Sequence, residues 1–309
     1  MSLGVVFPGQ GSQSVGMLLD TAAEFASVRE RFQQAGDAIG IDLWRIVAEG
    51  PVERLNQTEI TQPALLTASV ALWDILIEHG ARVAALAGHS LGEYSALVAG
   101  GALDFSDAVR LVHRRGQLMQ SAVPAGQGAM AAVLGLDDAE IASACASVSG
   151  IVAPANFNAV GQTVIAGEAD AVSAAGEACK AMGARRVVLL DVSVPSHCPL
   201  MEPVASGLAE VLDAIDLRLP GVPVIHNVDA AISTDTDGLK QRLLGQLANP
   251  VRWVDCVKAM AAMGVTRLIE CGPGNVLSGL VKRIDRSISC DVTTSLEGLR
   301  GVLGNLHSE

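Results

Sequence analysis

Val83-Ala84-Ala85-Leu86-Ala87-Gly88-His89-Ser90-Leu91-Gly92-Glu93-Tyr94-Ser95-Ala96-Leu97-Val98-Ala99 is the stretch that decides how this chain is read. Residues 83–87 form a short apolar run suited to a buried strand, and 93–99 read as the first turns of a helix. Between them stands Gly88-His89-Ser90-Leu91-Gly92, a G-x-S-x-G pentapeptide. A strand that turns sharply into a helix forces the central residue into a strained, exposed position. Side chains at the flanking glycines would collide with neighbouring backbone. The helix start leaves unpaired N–H groups beside the serine, where a negatively charged intermediate can rest. Ser90 is therefore the candidate nucleophile; the blander alternative is a glycine-rich turn with an incidental serine.

Outward from this elbow, strands and helices alternate. A strand at 5–7 leads into the loop Pro8-Gly9-Gln10-Gly11-Ser12-Gln13. The loop is not a dinucleotide fingerprint, because the third glycine that motif needs is Ser14. It reads as close backbone approach to a ligand or another loop. Helices are predicted at 22–36, 51–55, 62–79 and 104–123, the last with Asp104 or Ser106 as N-cap. The texture changes near Pro124-Ala125-Gly126. From there a strand (129–134), a helix (138–148), strands (151–155 and 163–166), a helix (169–182) and a strand (185–190) follow. The order βαββαβ is the ferredoxin-like arrangement. After Pro195 the long alternation resumes, with helices at 204–215, 238–248, 254–263 and 276–284 and strands at 222–226 and 267–270. The expected fold is α/β. It is a hydrolase-like, doubly wound, mostly parallel sheet (1–123 and 195–309) interrupted by an inserted ferredoxin-like subdomain (124–194).

Composition narrows the function classes. A net charge of −12 argues against non-specific nucleic-acid binding, which needs a basic surface. The six cysteines are scattered without a C-x-x-C pair. This spacing suits neither a zinc site nor a disulfide framework, so reduced thiols in the cytoplasm are expected. The first residues show none of the features of a signal peptide. Residues 141–167 carry no charge and are long enough to span a bilayer. Pro154, Asn156, Asn158, Gln162 and several glycines there argue against a membrane helix.

A serine hydroxyl needs a base within hydrogen-bond reach. Of the six histidines, His79 and His307 are expected to be solvated, and His113 falls on the polar face of its helix. His89 adjoins Ser90, where side chains point apart, and reads as loop support. His197, in the proline-flanked loop Val194-Pro195-Ser196-His197-Cys198-Pro199, is preferred as base because prolines stiffen its surroundings. His226, at the end of a strand, remains the second candidate.

Arg115 supplies the substrate clue. On the 104–123 helix, Ala108, Leu111, Val112, Leu118, Met119 and Ala122 make an apolar stripe, and Arg115 falls in its middle. Arg110, His113, Arg114, Gln117 and Gln120 take the other face. A guanidinium aimed into the core needs an anion. That anion is either an internal carboxylate or the carboxylate of a substrate, which the guanidinium fork binds through two parallel hydrogen bonds.

Phe7-Pro8-Gly9-Gln10-Gly11-Ser12-Gln13, Gly88-His89-Ser90-Leu91-Gly92-Glu93-Tyr94, Arg115-Gly116, Asn156-Phe157-Asn158, Pro195-Ser196-His197-Cys198, Gln246-Leu247-Ala248-Asn249-Pro250 and Gly272-Pro273-Gly274 occur here in order. Together they resemble the malonyl-CoA:acyl carrier protein transacylases of bacterial fatty-acid synthesis, over nearly the whole chain. The resemblance implies that Ser90 is acylated and that His197 is its general base and later its general acid. It also implies that the main-chain carbonyl of Gln246 orients His197 in place of a triad carboxylate. Asp191 and Asp229 then have structural roles. By the same resemblance the N–H groups of Gln10 and Leu91 form the oxyanion hole, and Arg115 holds the malonate carboxylate. Asn156 and Asn158 line the pocket from a loop of the small subdomain. The implied substrates are malonyl-CoA and acyl carrier protein, with no metal or cofactor and no nucleic-acid or membrane partner. An acidic carrier needs a local basic patch, for which Lys180, Arg185 and Arg186 or Lys282, Arg283 and Arg286 are candidates. The alternatives are an acyltransferase of polyketide or malonate-decarboxylase systems, a serine thioesterase, or a non-catalytic module that kept the fold.

Overall fold

Val5 and Phe7 point to one side of the first strand and Val6 to the other, and all three are fully buried. A strand covered on both faces belongs to a parallel sheet with helices above and below it. The structure, a computed structural model, describes residues 2–124, 126–192 and 194–306. In chain order its strands are β1 (Ser2–Phe7), β2 (Ala85–Gly88), β3 (Gly128–Leu134), β4 (Val152–Ala159) and β5 (Gln162–Glu168). Then come β6 (Arg186–Leu189), β7 (Val224–Ile225), β8 (Val265–Glu270) and β9 (Ser289–Val292).

Five strands form a parallel sheet in the order β7-β2-β1-β8-β9. One face packs on the helices Gly92–Ala99 and Thr58–Glu78, against which Ala26–Ile39 and Phe105–Ala122 pack in turn, and the other on Trp253–Ala262 and Val276–Ile284. The expected doubly wound, mostly parallel layer is present. The other four strands form an antiparallel sheet in the order β4-β5-β3-β6, which is the ferredoxin-like order. Helices Asp138–Ala146 and Ala169–Ala181 cover one of its faces over a separate apolar cluster that includes Val133, Ile141, Ile165 and Val172. Its other face, with Met130, Ala132 and Val164, is turned toward the carboxyl ends of the parallel strands. Val251 ties the layers together: its N–H donates to Ala155 O at 2.9 Å, and its carbonyl accepts from Phe157 N at 2.9 Å.

Several elements depart from expectation. The helix read at 22–36 is two helices, Leu19–Glu24 and Ala26–Ile39, broken at an extended Phe25 whose ring packs edge-on against His79. His79 is half-buried there, not solvated; its Nδ1 bonds Ile75 O. The helix read from Gln62 starts at Thr58 and passes through Pro63. Proline cannot donate to the Glu59 carbonyl one turn back, and the His113 ring takes that carbonyl at 2.8 Å. His113, read on the polar face of its helix, is thus a half-buried partner of the adjacent helix. The strand β9 and the helix Leu296–Leu306 were not anticipated, since Asp291 interrupts any apolar run along β9. His307 lies outside the described residues.

Among the described residues one helix, Thr58–Glu78, is long and apolar enough to cross a membrane. Its apolar stretch is almost wholly buried inside the fold as the central helix of the core.

Candidate active site

The elbow follows from backbone contacts. β2 ends at Gly88 and the helix Gly92–Ala99 starts just beyond Ser90. A Cβ on Gly88 would lie 1.9 Å from the Gly92 carbonyl, and one on Gly92 would lie 2.1 Å from the Phe7 carbonyl oxygen. Ser90 absorbs the turn in the left-handed region, at φ 53°. That conformation costs a non-glycine residue about 1–3 kcal/mol.

His197 meets the serine across the cleft. Its Nε2 lies 2.6 Å from Ser90 Oγ, and its Nδ1 lies 2.7 Å from the main-chain oxygen of Gln246. A carbonyl only accepts, so Nδ1 carries the proton and donates it. Nε2 is left as the acceptor for the serine hydroxyl, the tautomer a general base requires. Burial, and then the Arg115 charge, lower the His197 pKa to about 3, so the ring stays neutral. Its backbone is also left-handed, at φ 63°. The neighbouring Cys198 thiol is pushed up to about 11 by burial and stays protonated, so it is no rival nucleophile.

His226 is elsewhere. It is fully buried, with Nδ1 2.7 Å from Glu93 Oε1 and Nε2 2.8 Å from Ser233 Oγ. Asp229 pairs with Arg242 at 2.9 Å, and Asp191 lines the cleft; neither is hydrogen-bonded to His197. The N–H groups of Gln10 and Leu91 have no internal acceptor among the described residues. Gln10 is in the loop after β1, and Leu91 opens the elbow helix.

Arg115 is fully buried in the helix Phe105–Ala122, which Asp104 caps by accepting from the N–H groups of Ser106 and Asp107. Among the described residues no carboxylate pairs with it. Its terminal nitrogens donate to Gln62 Oε1 at 2.9 Å and Gln246 Oε1 at 3.0 Å, and its Nε has no partner. The guanidinium carbon lies 5.3 Å from the centre of the Tyr94 ring. A buried cation surrounded only by neutral acceptors is an electrostatic sink for an anion. The internal ion pair that the sequence left open is not formed.

A cavity of about 420 Å³ lies between the strand ends and the antiparallel sheet. Gln10, His89, Ser90, His197, Asn156 and Asn158 line it. Asn158 Oδ1 bonds His89 Nε2 at 2.8 Å, and burial lowers the His89 pKa, so this ring too is neutral. Asn156 and Asn158 are not in a loop, as expected, but in β4, whose register shifts between Pro154 and Asn156 and again between Phe157 and Ala159. Pairing with β5 and with Val251 extends this polar segment as a strand despite its low strand propensity. Arg115 is not part of the cavity wall, and neither are Gln62 and Gln246, the two amides it bonds; Gln62 in turn bonds Gln10, which does line the cavity.

Residues 5–296 match the acyl transferase domain family. The chain belongs to this family. It is 57% identical over 282 residues to the malonyl CoA-acyl carrier protein transacylase of Escherichia coli O157:H7, covering 90% of this chain and 91% of that protein. An acyl carrier protein S-malonyltransferase from Vibrio cholerae O1 biovar eltor str. N16961 superimposes with a TM-score of 0.95 at 52% identity, over 98% of this chain and 100% of that one. A malonyl-transacylase solved in complex with its type II PKS acyl-carrier protein gives a TM-score of 0.97 at 50% identity, over 99% and 100% of the two chains.

Three residues of this acyltransferase escaped sequence reasoning. Gln62 is a buried amide on the apolar helix Thr58–Glu78, linking Arg115 to Gln10. Glu93 is a fully buried carboxylate in the first turn after the elbow. Asn227 accepts the Ser90 N–H at 2.7 Å. One signal was available for Asn227: it follows the carboxyl end of a parallel strand, where α/β sheets place their sites.

Proposed function

We propose that the chain transfers the malonyl group of malonyl-CoA to the phosphopantetheine thiol of acyl carrier protein, for fatty-acid chain elongation, through a malonyl ester on Ser90. The observation that carries this reading is the convergence on Gln246. Its main-chain oxygen accepts from His197, its side-chain oxygen accepts from Arg115, and its side-chain nitrogen donates to Ser90 O at 3.0 Å. One residue thus joins a base, a nucleophile and a cation that no carboxylate among the described residues pairs with directly, and a substrate with a thioester at one end and a carboxylate at the other satisfies all three.

The steps follow. His197 Nε2 takes the Ser90 proton as Oγ attacks the thioester carbonyl. The oxyanion rests on the N–H groups of Gln10 and Leu91, a contribution of about 3–4 kcal/mol per donor in comparable sites. The C–S bond breaks, coenzyme A leaves with the proton, and the acyl-serine remains. The carrier thiol then gives its proton to His197, attacks the ester carbonyl and releases Ser90. Thioester exchange conserves electrons, so the reaction needs no cofactor beyond its two substrates. The six unpaired cysteines fit a reducing compartment and support the cytoplasm as its location. Residues 124–194 act in this reading as an inserted subdomain that roofs the cleft with Asn156 and Asn158.

The carrier docks, in this proposal, on both basic groups at once. Arg283 bonds Gln162 at the cavity edge, next to Gly161, whose carbonyl accepts from Gly135 N at 2.9 Å. Arg185 packs against Gly135. One arginine of each cluster thus flanks the Gly135–Gly161 contact, next to the strongly exposed Val160. Arg185→Glu with Arg283→Glu is expected to slow transfer from malonyl-Ser90 to the carrier by about 10-fold or more. Transfer to free pantetheine, which lacks the acidic protein, is expected to be unchanged. Equal slowing of both acceptors would place docking elsewhere.

A polyketide carrier is a second reading, favoured by the likeness to a transacylase bound to a type II PKS carrier. Transfer rates to the two carriers side by side distinguish them. Intact mass after brief mixing with malonyl-CoA tests the chemistry itself: a malonyl adduct is expected, and it is lost in Ser90→Ala. No adduct on the native chain would end this reading, and rapid loss of the adduct to water would make it a thioesterase.

A further inference from the structure

We infer that Asn227, anchored by Glu93, is a positioning residue for acyl transfer, because its side-chain amide continues the β2–β7 ladder and holds Ser90 in its left-handed turn. The inference rests on the reading of Ser90 as the acylated residue. β2 and β7 pair through Leu86–Val224 and Ala87–Ile225, and there the backbone ladder ends. Asn227 lies just beyond Ile225, and its side chain takes over as a peptide group would. Nδ2 donates to Gly88 O at 2.7 Å and Oδ1 accepts from Ser90 N at 2.7 Å. These groups lie on either side of His89, so one amide spans the sharpest part of the elbow.

The clamp is itself held. The Asn227 N–H donates to Glu93 Oε2 at 2.9 Å, and the same oxygen accepts from Gln246 Nε2 at 2.8 Å. The other carboxylate oxygen accepts from His226 Nδ1. Gln246 Nε2 also donates to the Ser90 carbonyl, so side chains anchored on a single carboxylate hold both the N–H and the C=O of Ser90. Asn227, Glu93 and His226 are fully buried. Burying a carboxylate with three donors is a costly way to shape a turn, and a plain turn does not need it. What the clamp fixes is the strain at φ 53°. Freed of it, the serine backbone relaxes toward ordinary φ and carries Oγ away from its 2.6 Å contact with His197.

Pre-steady-state acylation by malonyl-CoA tests this, with Asn227→Ala and the volume-conserving Glu93→Gln. The acylation rate constant is expected to fall about 10²-fold, the usual cost of misplacing a reacting group by about 1 Å. The burst amplitude is expected to stay stoichiometric with folded protein, and KM for malonyl-CoA to change little. A reduced amplitude at a native rate constant would show that the clamp only maintains the folded population, and would overturn the inference. So would native rates in both variants. If Asn227→Ala does not fold, the rate constant of Glu93→Gln decides. Failure of the native chain to acylate at all would fault the proposed function, not the clamp.

Discussion

His197→Ala is expected to slow acylation of Ser90 by malonyl-CoA by about 10³- to 10⁴-fold, the upper part of the range for a positioned general base. Nε2 is the acceptor facing the hydroxyl, and among the described residues no other histidine ring bonds it. His226→Ala is the matched control. It removes one of the donors to Glu93 and is expected to cost about 1–3 kcal/mol of stability while acting far less on the rate. Rapid-quench measurement of the acyl-enzyme and a thermal melt separate the two effects. Comparable rate losses in both variants would mean that the base has been misassigned.

Arg115→Ala is expected to remove the preference for malonyl over acetyl groups. Truncating one partner of a buried charge pair costs about 3–4 kcal/mol, so malonyl transfer should fall roughly 10²- to 10³-fold. Acetyl transfer, in which no carboxylate meets the guanidinium, should change little. Arg115→Lys keeps the charge but loses the fork that bonds both Gln62 and Gln246, and is expected to fall between. Competition between malonyl-CoA and acetyl-CoA, read by intact mass, gives the ratio directly. Equal losses for the two acyl groups would reduce Arg115 to a structural residue.

Local signals carried much of this molecule. The elbow was legible because its glycines answer to backbone contacts within reach of the sequence pattern, and the helix Val276–Ile284 was bounded to the residue by its turn and periodicity. The ferredoxin-like order was legible because each small element carries its own strand or helix period. Other features depend on distant partners. The helix read from Gln62 begins a turn earlier, at Thr58, and tolerates Pro63 because His113, from another helix, takes the freed carbonyl. Gln62, Glu93 and Asn227 are ordinary polar residues in the sequence and gain meaning only when packing buries them against Arg115, Gln246 and Ser90. The Gln246 carbonyl could not be read from residue type at all, since every residue has one. It came from the family resemblance.

That carbonyl has a consequence for the direction of the chemistry. A peptide oxygen offers His197 only a dipole, so the imidazolium formed during catalysis gains less stabilisation than a buried aspartate would give. Sulfur leaving groups, with thiol pKa values of about 8.5, depart with little help. In the proposed reaction the entering and departing partners are both thiols of this kind, so neither direction is privileged, and relative supply of the two carriers sets which way acyl groups flow.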